Sequence, residues 1–416
     1  MTVLIYRLFL IPFAKLLVFA LRPLLSEKIK DILETREKMP FEIRTPLKKV
    51  IWFHCSSGEF EYARSMIRLI KKQHPESQIL VTYFSTSFVE PIRKMPEVDA
   101  LGPLPLDTPR DIKKFLDQFP IELALFSRTD VWPEMSSELR KRKIPSYLFS
   151  LSLSEKSTRS QFPTSLITKW ALSELNGIFC VSQDDLLALQ KLNVKTPAAV
   201  TGDTRYDQVF HRLANRKPIK DLRQSSNFHV CVAGSTWAED EAVLIPAFSS
   251  LPDSFRLILV PHEPTPEHLE SLKKQLEACH LSYALYSQVQ TWSEKILIVD
   301  QIGILAELYS CGNSAFVGGS FKKTVHSVME PLALGLPTLV GPFYHNNREA
   351  LAFGQFSVGE NLSAVIEVIS IEGTKEILLK LQSSDLQNIS KKILQKMAES
   401  RGASEKTWQL ITKDLP

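Results

Sequence analysis

Short apolar runs alternate with longer amphipathic stretches along the chain from residue 50 onward. In the first half the apolar runs predict β-strands, at Val50–Phe53, Ile79–Tyr83, Leu123–Phe126, Tyr147–Phe149, Ile178–Val181 and Ala198–Thr201. The stretches between them have helical spacing and predict helices, at Glu59–Lys72, Arg110–Phe119 and Asp184–Leu192. Short strands separated by helices are typical of βαβ units, so this half is predicted to form a mostly parallel sheet.

The second half repeats the alternation after a polar and basic segment, residues 206–228, which is predicted to be an interdomain linker. Its strands are predicted at His229–Ala233, Leu257–Val260, Ile296–Val299, Ala315–Val317 and Thr338–Val340, and its helices at Glu239–Ser249, Glu267–Ala278, Ile304–Ser310 and Val328–Leu334. The chain is therefore predicted to form two doubly wound α/β, Rossmann-like domains, 40–205 and 229–380, and a C-terminal helical segment, 381–416. Two such domains facing each other across a cleft form the GT-B fold, but dehydrogenases and periplasmic binding proteins give a similar pattern.

The first residues have a different pattern, with an apolar stretch from Val3 to Leu25 that contains three basic residues. On a helix, Arg7, Lys15 and Arg22 fall within an arc of about 80°. A membrane-associated helix over residues 1–30 is predicted, lying in the membrane interface with its basic stripe toward anionic headgroups. A single membrane-spanning anchor is less favourable, because Lys15 near mid-bilayer costs roughly 2.5–3.5 kcal/mol. A helix packed on the body of the protein is the third alternative.

Composition narrows the class of protein. The 416 residues suit two domains, and 44% hydrophobic with 23% charged residues is typical of a globular chain. The net charge of +4 is too small to indicate a nucleic-acid partner. Its cysteines are scattered without a CxxC pair, which argues against a zinc site or a disulfide framework and favours a reducing compartment.

The motif from His54 to Glu59, HCSSGE, follows the first predicted strand and opens a helix. Gly58 is predicted to allow a tight turn, and the small Ser56 and Ser57 leave backbone N–H groups accessible. A dinucleotide site would have GxGxxG here, so a Rossmann dehydrogenase is disfavoured. Glu59 lies at the carboxyl edge of the sheet, where open α/β folds bind ligands, and it is a candidate general base. The alternative is that Glu59 only complements the helix dipole.

Two glycine-containing turns in the second half are candidate phosphate sites. Gly234, Ser235 and Thr236 follow one strand and precede a helix, and Gly318, Gly319 and Ser320 follow another. Backbone N–H groups at such positions bind phosphate without a metal. Lys322 and Lys323 come just after the second turn and could neutralise a leaving phosphate.

Three further positions are candidates for ligand binding. Glu330 opens a short helix that ends at Gly335, and its two oxygens could accept from both hydroxyls of a ribose, or it could simply cap that helix. His262 follows a strand and could contact the phosphate or the base of a nucleotide, or be an ordinary loop residue. Asp130 and Arg128 precede Trp132 and are predicted to reach the same sheet edge as Glu59.

These motifs in this order resemble those of the bacterial Kdo transferases, which move 3-deoxy-D-manno-octulosonic acid (Kdo) from CMP-Kdo to lipid A precursors. The resemblance extends from the N-terminal segment to about residue 355. It is carried by motifs in both halves, namely Ser57-Gly58-Glu59, Thr129–Pro133, Thr201-Gly202-Asp203, Gly234-Ser235-Thr236, Leu257–Pro261, Phe316–Ser320, His326, Glu330 and Gly341-Pro342.

The resemblance implies an inverting, metal-independent GT-B glycosyltransferase without a cofactor. Its partners would be CMP-Kdo, a lipid A precursor and the cytoplasmic face of the inner membrane. Glu59 would be the catalytic base, with Asp130 as the next candidate, and Ser56, Ser57 and Gly58 would contact the acceptor. The donor would bind the second domain, at Gly234, Ser235, Thr236, His262, Gly318, Gly319, Ser320 and Glu330.

Several positions depart from the family pattern. Arg128 stands where the family has a glutamate, and His262 stands where it has an arginine that meets the CMP phosphate. Residues 150–154, Ser-Leu-Ser-Leu-Ser, lack another arginine of the family. Two alternatives therefore stay open. One is a GT-B enzyme with another nucleotide-sugar donor, for which Lys322, Lys323 and Arg348 could supply charge, and the other is a catalytically silent relative that binds lipid or a partner.

Overall fold

The computed structural model describes residues 2–38, 40–154, 156–220, 222 and 227–413. Its contacts divide the chain into two compact units. The first contains the residues up to Gln208 and those from Ser400 onward, and the second is Val209–Glu399.

A parallel sheet forms the centre of the first unit. Its strands are β1 (Glu42–Ile43), β2 (Val50–His54), β3 (Gln78–Tyr83), β4 (Ala100–Pro103), β5 (Ile121–Ser127), β6 (Ser146–Leu151), β7 (Gly177–Cys180) and β8 (Ala198–Val200), in the order β1-β4-β3-β2-β5-β6-β7-β8. Only the short edge strand β1 is antiparallel to its neighbour among the pairs that the structure describes. The helices are α1 (Thr2–Ile5), α2 (Ile11–Leu21), α3 (Glu27–Lys38), α4 (Phe60–Gln73), α5 (Val89–Arg93), α6 (Pro109–Gln118), α7 (Pro133–Lys141), α8 (Thr164–Ser173) and α9 (Gln183–Lys191).

Both faces of this sheet are buried. Val50 and Trp52 of β2 belong to one apolar cluster, and Ile51 and Phe53 belong to another. Since successive strand residues point to opposite faces, these clusters are the two cores on either side of the sheet. Burial on both faces explains why the strand sequences are continuously apolar instead of alternating.

Helix α10 (Thr204–Ala214) begins in the first unit and ends in the second. It occupies much of the segment predicted to be a linker, 206–228, of which residues 221 and 223–226 lie outside the described part of the chain. The predicted C-terminal segment, 381–416, is likewise divided between the units, and its residues 414–416 are not described.

The second unit contains a sheet of parallel strands in the order β11-β12-β10-β9-β13-β14-β17. The strands of this unit, including a separate antiparallel pair formed by β15 and β16, are β9 (His229–Thr236), β10 (Phe255–Pro261), β11 (Tyr283–Leu285), β12 (Ile296–Ile298), β13 (Ser314–Val317), β14 (Thr338–Val340), β15 (Ser357–Gly359), β16 (Leu362–Ser363) and β17 (Val365–Glu367). Its helices are α11 (Ala238–Ser249), α12 (Pro266–Ala278), α13 (Leu305–Leu308), α14 (Met329–Ala333), α15 (Arg348–Gly354), α16 (Ile371–Gln382) and α17 (Leu386–Glu399), and the chain returns to the first unit as α18 (Ala403–Lys413).

Apart from the edge strands β1 and β11, the strand order reverses at one point in the middle of each sheet. In the first unit β2 and β5 are neighbours, and in the second β9 and β13 are neighbours, with earlier and later strands added outward from each pair. The prediction of two doubly wound α/β units is confirmed. Ligands of such sheets bind at the carboxyl ends of the strands beside the reversal, which directs attention to the loops after these four strands.

The N-terminal segment is interrupted, so the prediction of one helix over residues 1–30 is wrong in this respect. Helix α1 leads into a π-helix at Tyr6–Leu10 and then into α2, which ends in a 3-10 turn at Arg22–Leu24 before α3. Pro23 lies in that turn. Its missing N–H and its ring disfavour continuation of the α-helix.

One side of this segment is fixed to the first unit. The buried Tyr6 donates its hydroxyl hydrogen to Oδ2 of Asp107 at 2.7 Å. The guanidinium of Arg7 donates to both carboxylate oxygens of Glu134, at 2.6 and 2.8 Å. Arg7 is therefore not part of a lipid-facing stripe, which corrects the prediction for that residue, and the side chain of Lys15 lies outside the described part.

The other side of the segment exposes large apolar side chains. Leu8, Phe9, Phe13 and Leu16 are 60–66% exposed, and Leu24 is 82% exposed. None of the described helices is long and apolar enough to cross a membrane.

Candidate active site

In the first unit, Glu59 lies directly before α4, in the loop that follows β2. Its carboxylate turns back toward the loop, and Oε2 accepts from the backbone N–H of Ser57 at 2.9 Å and from the Ser57 hydroxyl at 3.3 Å. The side chain is 15% exposed. These two hydrogen bonds fix the position of the carboxylate at the start of α4.

Arg128 lies beside Glu59, with Nη1 3.6 Å from Oε1 of the glutamate. It follows β5 with a left-handed backbone, φ 68°, and its amide donates to the Phe149 carbonyl at 2.9 Å. The hydrogen-bonded register of β2 and β5 brings the two loops together. The predicted meeting of these residues at one sheet edge is thus observed for Glu59 and Arg128.

Asp130 has a different partner. Its Oδ1 accepts from Nη2 of Arg159 at 3.0 Å, and its side chain is 13% exposed. Glu59 also has an arginine beside it, but at 3.6 Å, whereas the Asp130 carboxylate accepts a hydrogen bond from its arginine. Asp130 as a base stays a prediction, and this contact places it second to Glu59.

The residues before Glu59 act mainly through their backbones. The Ser56 carbonyl accepts from the amides of Phe84 and Ser85. Gly58 is not among the residues with positive φ, and a Cβ there would meet only Phe88, at an ordinary 3.7 Å. Gly58 lies in a turn as predicted, but this backbone conformation does not require a glycine. Contact of Ser56, Ser57 and Gly58 with an acceptor stays a prediction.

In the second unit, a cavity of about 230 Å³ lies at the carboxyl ends of β9 and β13. Two predicted donor-binding residues, Ser235 and Glu330, line it together with the motif residue His326. Ser235 has a left-handed backbone, φ 55°. Oε2 of Glu330 accepts from the Ser327 hydroxyl at 2.7 Å, and its side chain is 19% exposed. The carboxylate is therefore held in place and accessible from the cavity.

Close approach of chain segments explains two of the predicted glycines. A Cβ at Gly234 would overlap with Oη of Tyr309, and a Cβ at Gly318 would overlap with the Ser235 carbonyl. Both glycines are therefore required by packing at the end of the strands. Tyr309 itself lines the cavity.

The turn Gly318-Gly319-Ser320 already binds an anion from within the chain. Oδ2 of Asp240 accepts from the Gly319 amide at 2.7 Å, and Oδ1 accepts from the Phe321 amide at 3.0 Å. Burial raises the pKa of Asp240, although these hydrogen bonds oppose the rise. Donor binding by Gly318, Gly319 and Ser320 stays a prediction, and the Asp240 carboxylate already occupies the Gly319 amide.

The hydroxyls of two other predicted residues are also engaged. Ser320 is buried, donates to the Val317 carbonyl at 2.8 Å and accepts from the Gly341 amide at 2.7 Å. The buried Thr236 donates to Oε1 of Glu241 at 2.8 Å. Both hydroxyls are therefore used within the chain, and donor binding by Ser320 and Thr236 stays a prediction.

His262 is part of an aromatic stack beside the cavity. Its ring lies between Trp237 and His326, with centroid distances of 4.8 and 4.5 Å. The Trp237 indole N–H donates to Nε2 of His326 at 3.2 Å, and because an indole nitrogen only donates, this Nε2 carries no proton. Burial, together with the charge of His262, lowers the pKa of His326 to about 4. His326 is therefore neutral at pH 7.

Lys322 and Lys323 do not line this cavity. Nζ of Lys322 lies 3.3 Å from the centroid of the Trp237 ring, on the aromatic stack. Sequence reasoning missed two charged residues that matter here, Asp240 and Arg212. Arg212 lines the cavity from the last turn of α10.

Among the described residues, no group of three His, Cys, Asp or Glu side chains is arranged to hold a metal ion.

Comparison with known proteins identifies relatives of the whole chain. The family model described as 3-deoxy-D-manno-octulosonic-acid transferase (kdotransferase) matches residues 30–208. A 3-deoxy-D-manno-octulosonic acid transferase of Rickettsia felis is 26% identical over 392 residues, which are 91% of this chain and 82% of the relative. The matched model contains Glu59 and Asp130, and the alignment with the relative extends over most of both units.

Solved structures share the fold at lower identity. The UDP-GlcNAc 2-epimerase from Neisseria meningitidis, bound to UDP-GlcNAc, superposes with a TM-score of 0.63 at 15% identity, over 88% of this chain and 100% of that one. MurG of Acinetobacter baumannii superposes with a TM-score of 0.55 at 11% identity, over 88% and 99%. These similarities show the GT-B class of fold and confirm that part of the prediction.

Proposed function

Because this chain is a divergent glycosyltransferase of the Kdo transferase family, we propose that it transfers Kdo from CMP-Kdo to a lipid A precursor. The reaction is an inverting single displacement without a metal ion. An acceptor hydroxyl oxygen forms the new bond to the anomeric carbon of the donor as the bond from that carbon to the phosphate oxygen breaks. CMP leaves with the electron pair of the broken bond, and Glu59 takes the proton of the hydroxyl.

The observation that carries this proposal is the placement of the Glu59 carboxylate. It lies at the reversal point of the first sheet, where open α/β folds bind ligands. It is 15% exposed and is held by Ser57 through two hydrogen bonds. A fixed, partly exposed carboxylate at this edge has the properties of a general base for an acceptor hydroxyl.

The donor nucleotide is assigned to the cavity of the second unit. The carboxylate of Glu330 can accept from the two hydroxyls of a ribose, and the Ser327 hydroxyl orients it. The volume of about 230 Å³ is below the usual range for a whole ligand, so it suits a part of the donor.

The acceptor is assigned to the membrane surface. The exposed apolar side chains of the N-terminal segment, Leu8, Phe9, Phe13, Leu16 and Leu24, support its binding in the membrane interface, because an apolar face of this kind partitions into the headgroup region. The site of action is then the cytoplasmic face of the inner membrane.

A donor screen tests the proposal. The purified full chain is incubated with lipid A precursor in mixed micelles, with CMP-Kdo in one arm and UDP-sugars in others, and the lipid is analysed by mass spectrometry. Transfer is expected from CMP-Kdo and is expected to persist in EDTA. Transfer from a UDP-sugar alone would replace the donor in the proposal, and no transfer from any donor would favour a silent relative.

Substitution of the base completes the experiment. Glu59→Gln keeps the shape of the side chain and removes the proton acceptor, so turnover is expected to fall by roughly 10²–10⁴-fold. Glu59→Asp is expected to keep a fraction of the activity. Glu61→Gln is the matched control, since Glu61 lies in the first turn of α4 and pairs with Arg64. Activity of Glu59→Gln within a few-fold of wild type would exclude Glu59 as the base.

A further inference from the structure

The donor cavity contains one permanent positive charge among the described residues that line it. That charge is Arg212, from the last turn of α10. The other basic residue of the lining, His326, is neutral at pH 7 because its pKa is lowered to about 4 by burial and by His262. The lining also contains a carboxylate, Glu330, and two hydroxyl residues, Ser235 and Ser327.

The geometry of Arg212 allows it to bind a second anion. Its Nη1 lies 3.5 Å from Oε1 of Glu330, which is longer than a strong charge-assisted hydrogen bond of about 2.7–2.9 Å. A guanidinium has five N–H donors in a planar fork, so the contact with Glu330 leaves donors available for an anion. The Arg212 side chain is 45% exposed, whereas that of Glu330 is 19% exposed, so the arginine is the more accessible of the two.

Two other kinds of group that could bind a phosphate near this edge, the amides of the glycine turn and Lys322, are engaged elsewhere. The amides of Gly319 and Phe321 donate to Asp240. Lys322 lies on the ring of Trp237 and not in the cavity lining. A nucleotide-sugar donor carries negative charge on its phosphate, and enclosing that charge without a counter-charge is unfavourable. Arg212 is the group in position to supply the counter-charge.

We propose that Arg212 binds the donor phosphate while Glu330 binds the ribose of the same nucleotide. The assignment rests on the proposed function and adds to it a residue that recognises the leaving group. As the bond between the anomeric carbon and the phosphate oxygen breaks, the electron pair stays on that oxygen and negative charge grows there. A guanidinium beside this oxygen stabilises the charge, so Arg212 contributes to donor binding and to turnover.

The test compares ligands that differ only by the phosphate. Binding of CMP and of cytidine is measured by calorimetry, with competition against CMP for the weaker ligand, on wild type, Arg212→Gln and Arg216→Gln. Arg212→Gln is expected to weaken CMP binding roughly 10- to 100-fold, the range for a hydrogen bond to a charged group, and to leave cytidine binding within a few-fold. Arg216, an exposed arginine just beyond α10, controls for the loss of one positive charge.

Each other outcome overturns a defined part of the inference. Equal losses of CMP and cytidine affinity would mean that Arg212 only positions Glu330. Unchanged CMP affinity in Arg212→Gln would place the phosphate elsewhere. If wild type binds UMP and not CMP, the proposed donor fails, and the same comparison with UMP and uridine still decides the role of Arg212. Binding of neither monophosphate to wild type would overturn both proposals.

Discussion

Replacing Arg7 with glutamine is expected to destabilise the first unit by about 2–3 kcal/mol, starting from the roughly 3–5 kcal/mol lost when a buried ion pair loses one partner. The Arg7 guanidinium holds both oxygens of Glu134, at 2.6 and 2.8 Å, and the Glu134 side chain is only 2% exposed. Without Arg7 this carboxylate keeps its burial and loses its counter-charge. The expected loss is set below that range because Arg7 is 36% exposed, so water can reach the vacated position.

The assay is thermal unfolding of the full chain in detergent, followed by circular dichroism. For a unit of this size, 2–3 kcal/mol corresponds to a fall in Tm of roughly 4–12 °C. Lys30→Gln is the matched control in the same segment, because Lys30 pairs with Glu27, which is 90% exposed. The control is expected to shift Tm little, since exposed pairs contribute about 0–1 kcal/mol.

The double variant Arg7→Gln with Glu134→Gln isolates the unpaired charge. It is expected to be more stable than Arg7→Gln alone, because the second substitution removes the buried carboxylate. The reasoning fails if Arg7→Gln has the same Tm as the Lys30→Gln control. It also fails if the stability lost in the double variant equals the sum of the losses in the two single variants, because the ion pair then does not fix the segment. Removal of residues 1–25 is then expected to leave the unit intact, whereas the structure predicts that it destabilises the unit.

Three further predictions concern the donor site and one carboxyl group. Glu330→Gln is expected to weaken CMP binding in calorimetry by about 1–3 kcal/mol, because an amide offers one acceptor oxygen to the ribose, and unchanged affinity would make Glu330 a structural residue. Asp240→Asn is expected to lower the urea stability of the second unit by about 2–3 kcal/mol, since the amide nitrogen would face a backbone N–H, and an unchanged midpoint would contradict the role of Asp240 in filling the turn. Burial raises the pKa of Asp107 to about 6. Between about pH 4 and 6 the folded protein therefore keeps the proton on Asp107, whereas the unfolded chain has lost it. The difference in Tm between wild type and Asp107→Asn is therefore expected to fall as pH rises across this window, and a constant difference would contradict the shift.

Most of the central strands could be predicted because their burial on both faces makes them continuously apolar. The run Val50–Phe53 is such a case, and the structure extends it by one residue as β2 (Val50–His54). Short edge strands carry too few residues to show a pattern, which explains why β1 (Glu42–Ile43) was not predicted. The polar surface of α10 (Thr204–Ala214) resembles a linker in sequence, so its helix was missed.

The sequence could predict only those site residues whose place in the fold follows from the end of a nearby strand. Glu59 could be predicted because it lies in the loop after a strand beside a reversal point. Ser235 could be predicted from the end of its strand, although the structure extends β9 through it to Thr236. Asp240 was not predicted as a partner of Gly319, because the two residues are 79 positions apart and meet only through the packing of α11 on the turn after β13. Arg212 was missed for the same reason, since its contact with Glu330 joins distant parts of the chain.

In the second unit, the position of Asp240 explains why the donor phosphate would need Arg212. A glycine turn after a strand normally offers its amides to a phosphate, but here Asp240 neutralises the partial positive charge of those amides. A donor anion must then find its counter-charge at another point of the same edge, and the described lining of the cavity offers Arg212. His262 is stacked between Trp237 and His326 and is not part of the lining. Arg212 of α10 would therefore carry the anion-binding role that the occupied turn does not offer, and loss of CMP binding in Arg212→Gln is the direct consequence.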